Sequence, residues 1–123
     1  MGYSDPNFTV RREHFAGEAG GAATTTYGKF RAFQKLKLKK VHAVATVAGT
    51  ATTHKLDVFH GTTSVGTIAL STGAAETTKA SSAVLNLVVA PLEEISVKSG
   101  ADATGKAAVV YEYEIVHDAV QTL

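Results

Sequence analysis

The sequence has no cysteine and no tryptophan, and it has only two prolines and one methionine. The absence of cysteine excludes a disulfide framework and a thiolate zinc site. Charged residues make up only 19% of the 123 residues, and the net charge of +1 gives no overall attraction to nucleic acid or to a membrane surface. No apolar run approaches the roughly 20 residues of a membrane span, so no membrane association is expected. The start, Met1-Gly2-Tyr3, does not predict a signal peptide.

The patterns that indicate catalysis or metal binding are also missing. The five histidines have no metal-site spacing, and His54 and His60 lie too far apart on one strand, roughly 20 Å, to share an ion. There is no Gly-x-Ser-x-Gly motif. Glu112 and Glu114 share a strand face, but we interpret them as a solvated outer surface rather than a catalytic pair. We therefore expect no catalytic residues, no metal, no cofactor and no enzymatic activity.

What the sequence does contain, from Lys29 onward, is a series of short segments with alternating apolar and polar residues. Such alternation is typical of β-strands, and clusters of Gly, Thr, Ser and Asp separate the segments. A phase slip at Lys39-Lys40 indicates a β-bulge or a corner. We predict an all-β fold, a small sandwich or jelly-roll-like barrel over residues 29–123. Strands are predicted over residues 29–40, 41–47, 54–60, 65–70, 82–89, 94–99 and 106–116.

Residues 1–28 show no sustained period and are rich in Gly and Ala. Glycine loses the most backbone entropy when it is fixed, and small side chains bury little area. We interpret residues 1–28 as an extended N-terminal arm that becomes ordered on a partner, the alternative being a frayed terminus. The candidate anchors of this arm on a partner are Phe8, Val10, Arg11, Arg12 and Phe15.

A basic ribbon follows the arm. If residues 29–40 form one strand, its cations project from one side, with Phe33 between them. An edge strand that uses lysine against aggregation is the simplest interpretation. The second interpretation is that the ribbon contacts an acidic protein surface. The third is that it contacts the phosphates of a nucleic acid, with Phe33 stacked on a base. The candidate partner-binding residues of this ribbon are Lys29, Arg31, Phe33, Lys35 and Lys37.

Several short sequence segments of the C-terminal half resemble segments of one known class of protein. They are Leu56-Asp57-Val58-Phe59, residues 66–70, residues 95–100, residues 102–107 and Tyr111-Glu112-Tyr113. Together, over about residues 54 to 116, they resemble the small auxiliary virion proteins of tailed bacteriophages, of the capsid decoration or cement type.

This resemblance implies a β-rich, often jelly-roll-like and frequently trimeric protein on the capsid surface of a virion. Its partners would be the major capsid protein and further copies of itself, and an N-terminal arm would become ordered on the shell. The segment 84–89, which is apolar on both faces, independently suggests a subunit contact.

Other functions stay open. A phage fibre or a carbohydrate-binding module is the alternative, although Tyr111 and Tyr113 share a face with Val109 and Ile115 and are therefore expected in the core. A nucleic-acid binder that uses the basic ribbon ranks third, and an enzyme ranks last.

Overall fold

The computed structural model describes residues 11–116, which form nine β-strands and no helix. The predicted all-β class is therefore confirmed. The strands are β1 (Arg11–Gly20), β2 (Thr26–Arg31), β3 (Leu36–Val47), β4 (Lys55–His60), β5 (Thr63–Ala69), β6 (Lys79–Ser81), β7 (Leu87–Val89), β8 (Glu94–Ser99) and β9 (Lys106–Ile115).

The strands form two antiparallel sheets that pack face to face. Sheet A has the order β1-β9-β3, and the far edge of β3 is shared by β6 and β7. Sheet B has the order β2-β8-β4-β5. When β6 and β7 are counted as one interrupted strand, each sheet has four strands in the order of a jelly roll. The predicted sandwich is thus confirmed.

The core lies between the two sheets and follows from the alternation of the strands. On β9, Val109 and Tyr111 point inward and are almost fully buried, whereas Glu112 points outward. The Tyr111 hydroxyl donates a hydrogen bond to the carbonyl of Gly28 on β2, at 2.7 Å, and so links sheet A to sheet B. The largest buried side chains are Leu36, Leu38, Val41, Leu56, Val58, Ile68, Val89, Ile95, Val97, Val109 and Tyr111.

The predicted arm is wrong for the part that the structure describes, because β1 is an integral strand of sheet A and β2 begins at Thr26. Residues 1–10 lie outside the described residues. Ala19 is buried at 1% exposure, and His14 stacks on Phe30 with ring centroids 4.1 Å apart. A register shift before Gly17, whose φ is +88°, interrupts the alternation that would have marked this strand in the sequence.

The predicted single strand over residues 29–40 is wrong as well. The chain leaves sheet B after Arg31 and enters sheet A at Leu36, so residues 32–35 are a connection between the sheets. The phase slip at Lys39-Lys40 is confirmed as a bulge, since the pairing of β3 with β9 shifts register between Leu38 and Lys40.

The edge of sheet A beyond β3 is interrupted. Of the predicted strand over residues 82–89, only the part from Leu87 onward is a strand, β7. Residues 82–86 form an irregular connection, the arch, between β6 and β7. Ser82 fastens this arch, because its hydroxyl accepts a hydrogen bond from the Val41 amide at 3.0 Å. Val84 and Val88 are exposed within the monomer, on the side that we predicted to meet another subunit.

The turn between β8 and β9 is organised by Asp102. Its carboxylate accepts hydrogen bonds from the amides of Gly105 at 2.8 Å, Thr104 at 2.7 Å and Thr50 at 2.7 Å. These hydrogen bonds hold the pKa of Asp102 well below its usual range, and the bond from the Gly105 amide has the largest effect. The predicted Asx-type turn is confirmed, and the same carboxylate fixes the loop that follows β3.

His54 fills the space beneath this turn. It is 3% exposed, and its Nδ1 lies 3.2 Å from the carbonyl oxygen of Ser71. A Cβ atom added to Gly105 would lie 2.5 Å from the His54 ring, which is far too close for a real contact. Glycine at this position is therefore a packing requirement of the buried imidazole.

Candidate binding surfaces

The predicted partner-binding residues do not converge on one patch. Phe8 and Val10 lie outside the described residues. We call the outer surface of sheet A face A, the outer surface of sheet B face B, and the end of the sandwich at residues 32–35 the loop end. Arg11, Phe15 and Lys37 belong to face A, Lys29 and Arg31 to face B, and Arg12, Phe33 and Lys35 to the loop end.

Face A carries an ionic network across its strands. Arg11 on β1 contacts Glu112 and lies 3.4 Å from Glu114, both on β9. His42 on β3 places Nε2 2.7 Å from Glu112 and Nδ1 2.6 Å from the Ser81 hydroxyl on β6. The hydrogen bond from His42, followed by that from Arg11, lowers the pKa of Glu112. The two glutamates lie on the outer face as expected, but they are bound to cations and tie the strands together.

Lys39 extends this network to the arch. Its ammonium group donates a hydrogen bond to the side-chain oxygen of Asn86 and lies 4.0 Å from Glu114. Apolar side chains stand on either side of the network: Phe15 is 65% exposed, and Val88 and Val84 are exposed beyond β3. Face A therefore combines an ionic centre with apolar margins.

The loop end holds the most exposed aromatic side chain among the described residues. Phe33 is 86% exposed and borders an open depression of about 530 Å³. Arg12, Tyr113 and Ile115 line the same depression. The predicted ribbon with Phe33 among its lysines does not form, because the lysines on either side of this connection belong to different sheets.

Face B contains two adjoining depressions, of which the first is polar. It has a volume of about 570 Å³ and is bordered by Arg31, His60, Glu93 and Glu94. Arg31 pairs with Glu94 at 3.0 Å, and His60 Nε2 lies 3.0 Å from Glu93. The Ala90 amide donates to Glu93 at 2.8 Å, and this bond, ahead of the contact with His60, lowers the pKa of Glu93. The charged groups here are thus paired with one another.

The second depression of face B has a volume of about 310 Å³, and we call it the slot. Its lining residues are Thr26, Lys29, Phe59, Gly61, Thr62, Glu94, Ser96 and Lys98. The Lys98 ammonium lies 5.9 Å from the centroid of the Phe59 ring, within reach of a cation–π attraction. Sequence reasoning missed Phe59, Ser96 and Lys98 because strands distant in sequence bring them together. The one available signal was the polar alternation of β8.

Within residues 11–116, no three His, Asp or Glu side chains are grouped closely enough to hold a metal ion. This part of the chain also contains no helix long and apolar enough to cross a membrane. No known protein family matches the chain, and no curated protein is significantly similar to it.

Proposed function

We propose that this chain is a structural virion protein that binds the outer surface of a tailed-bacteriophage capsid as a decoration or cement protein. The observation that carries the proposal is the set of large apolar side chains left exposed on a well-packed sandwich: Phe15, Phe33, Val84 and Val88. Aromatic side chains such as Phe15 and Phe33 are enriched at protein-contact surfaces and often act as their anchors. The major capsid protein would be the partner.

The fold is compatible with this role. Jelly rolls occur in capsid and lectin domains, which is an analogy of architecture and not of chemistry. More specifically, the ionic network of face A links β1, β9, β3 and β6, so the side chain of Phe15 projects from a braced sheet. A braced surface loses little conformational entropy when it binds.

Self-association completes the proposal. Val84 and Val88 lie at the margin of sheet A, where a second copy would cover them, and we propose a homotrimer. Several linked copies raise the effective concentration at the shell, so that weak contacts become durable. Sedimentation of the full chain at micromolar concentration should give a trimer, and Val84→Ser with Val88→Ser should give monomers. A monomer in the unaltered protein would contradict this part of the proposal.

Attachment to shells tests the proposed function directly. The chain is mixed with capsids of its own phage that lack it, and bound protein is measured after sedimentation. Phe15→Ser and Phe33→Ser should each weaken attachment about tenfold, since a buried aromatic anchor contributes at least that much. Val47→Ser, at another exposed position, is the matched control and should bind normally.

Two further outcomes bear on this assay. Removal of residues 1–10, which include the predicted anchors Phe8 and Val10, should weaken attachment while β1 is kept. If the unaltered chain does not attach to shells, the proposed function is wrong. If both phenylalanine variants attach as tightly as Val47→Ser, the capsid contact lies elsewhere.

A carbohydrate-binding module is the second candidate, and the polar depression of face B favours it. Arg31, His60, Glu93 and Glu94 border a space large enough for a sugar ring, with donors and acceptors in close proximity. A glycan array decides between the two functions. Specific glycan binding that Glu93→Gln abolishes would favour this candidate over capsid attachment.

A further inference from the structure

The floor of the slot on face B is formed by Ser96, a polar side chain that is almost fully buried. Ser96 is outward-facing on β8, between the buried residues Ile95 and Val97, yet it is only 2% exposed. Its hydroxyl makes no hydrogen bond with residues 11–116. At this exposure the hydroxyl is nearly covered and meets the slot only through a narrow opening. A hydrogen-bond donor therefore lies at the floor of the slot without a partner among the described residues.

The walls of the slot supply charge and apolar surface. Lys29 on β2 lines one side and Phe59 on β4 the other, and Lys98 lies over the Phe59 ring. Among the described residues, neither lysine forms an ion pair. Asp57, the strand neighbour of Lys98, instead accepts a hydrogen bond from Thr67 at 2.9 Å. Two ammonium groups are thus available to a ligand in the slot.

One end of the slot limits the charge of that ligand. Glu94 lines it, although this carboxylate is paired with Arg31 at 3.0 Å. A ligand with two negative charges would meet Glu94 as well as the lysines, whereas a single negative charge can be placed at the lysine side. The site therefore favours a monoanion with some apolar surface to cover Phe59.

We propose that the slot binds a carboxylate on a short apolar stem, namely a glutamate side chain on the surface of an acidic protein partner. The carboxylate would accept hydrogen bonds from Lys29 and from the Ser96 hydroxyl, and the stem would pack on Phe59. This inference rests on the proposed function and deepens it, because it gives the chemistry of the partner surface.

A nucleic acid fits the slot less well. Protein–nucleic acid affinity comes from many phosphate contacts, whereas the slot offers two cations in a chain of net charge +1. Single-stranded nucleic acid is bound by stacking successive bases on several aromatic side chains, whereas the described lining of the slot contains one, Phe59.

The test is an NMR titration of the full chain with a peptide made only of glutamate, at low ionic strength. The amide signals of Ser96 and of its neighbours on β8 should shift and saturate. The double variant Lys29→Gln, Ser96→Ala should bind about tenfold more weakly, since hydrogen bonds to a charged group are lost. Lys79→Gln, which removes an exposed charge from β6, is the matched control and should bind normally. Dispersed spectra of each variant confirm that it is folded.

Each other outcome overturns the proposal. If the peptide does not bind, or if Lys79→Gln weakens it as much as the double variant, the slot is not a specific carboxylate site. If an oligothymidine binds the same residues more tightly than the peptide, the ligand class is nucleic acid.

The shell assay separates this inference from the proposed function. Peptide binding at the slot without shell attachment would refute only the capsid role. Shell attachment that the double variant leaves unchanged would refute only the slot.

Discussion

The hydrogen bond from Tyr111 to Gly28 joins the two sheets in addition to the apolar core between them. Removing this one bond tests how much it contributes to the stability of the fold. Tyr111→Phe keeps the buried ring but deletes the hydroxyl, whose partner within residues 11–116 is the Gly28 carbonyl at 2.7 Å. The substitution leaves the Gly28 carbonyl without this donor, at the place where β2 packs against Ala16 of β1. A fully buried unpaired acceptor costs about 1–3 kcal/mol, and because this bond is part-buried we expect the lower end of that range.

Urea unfolding measures this cost. For a chain of this size, the free energy of unfolding falls by about 1–3 kcal/mol per molar urea, so a loss of about 1 kcal/mol should lower the midpoint of Tyr111→Phe by roughly 0.3–1 M with an unchanged slope. Tyr113→Phe is the matched control. Tyr113 lies on the same face of β9, is half-buried and packs against Phe30. Its substitution should change stability by less than about 0.5 kcal/mol.

The comparison of the two variants decides the matter. Equal midpoints for Tyr111→Phe and Tyr113→Phe would show that the Gly28 contact does not hold the sheets together. A changed slope would instead indicate that the unfolded or native state had altered its compactness, and the reasoning from one hydrogen bond would fail.

Two further predictions concern buried groups. Burial, with a smaller contribution from the charge of Glu94, raises the pKa of Tyr111 far above its ordinary value. The unfolded chain therefore loses this proton first as pH rises. Stability is intact below about pH 10 and then falls by up to about 1.4 kcal/mol per pH unit; urea midpoints from pH 9 to 11 should show this loss, and its persistence in Tyr111→Phe would refute the assignment. Gly105→Ala should destabilise by about 1–3 kcal/mol, because its methyl group would overlap the His54 ring. Gly61→Ala is its control: the site is open, so only the strain of its φ of +63° is added, and an equal loss in both variants would contradict the overlap.

The sequence predicted the fold class because the strands from β3 onward alternate in the ordinary way. β4, β5, β8 and β9 lie close to the predicted segments, and the slip at Lys39 is a bulge in the structure. The connection at residues 32–35 was missed because Phe30 and Ala32 happen to continue the same parity as Leu36. Parity along the chain cannot reveal that a segment has passed from one sheet to the other.

β1 was missed for a different reason. Its bulge at Ala16 and Gly17 breaks the period, and its small residues bury little area of their own. Glycine permits the unusual backbone angles and the close approach to β9 that make this strand possible, yet the same residues read as a flexible segment. The slot was beyond prediction because β2, β4 and β8 must first be placed side by side.

The pairing of the first described strand with the last has a consequence for biosynthesis. Arg11 and Glu114 are 103 residues apart in sequence, yet they lie opposite each other in sheet A. While the ribosome is still translating, β1 has no neighbour to pair with, and one edge of the nascent chain stays open until β9 emerges. Proteins dominated by such distant contacts fold slowly and expose unpaired strands meanwhile. Yield in cells should therefore depend on chaperones and on expression temperature more than the equilibrium stability of the finished domain would suggest.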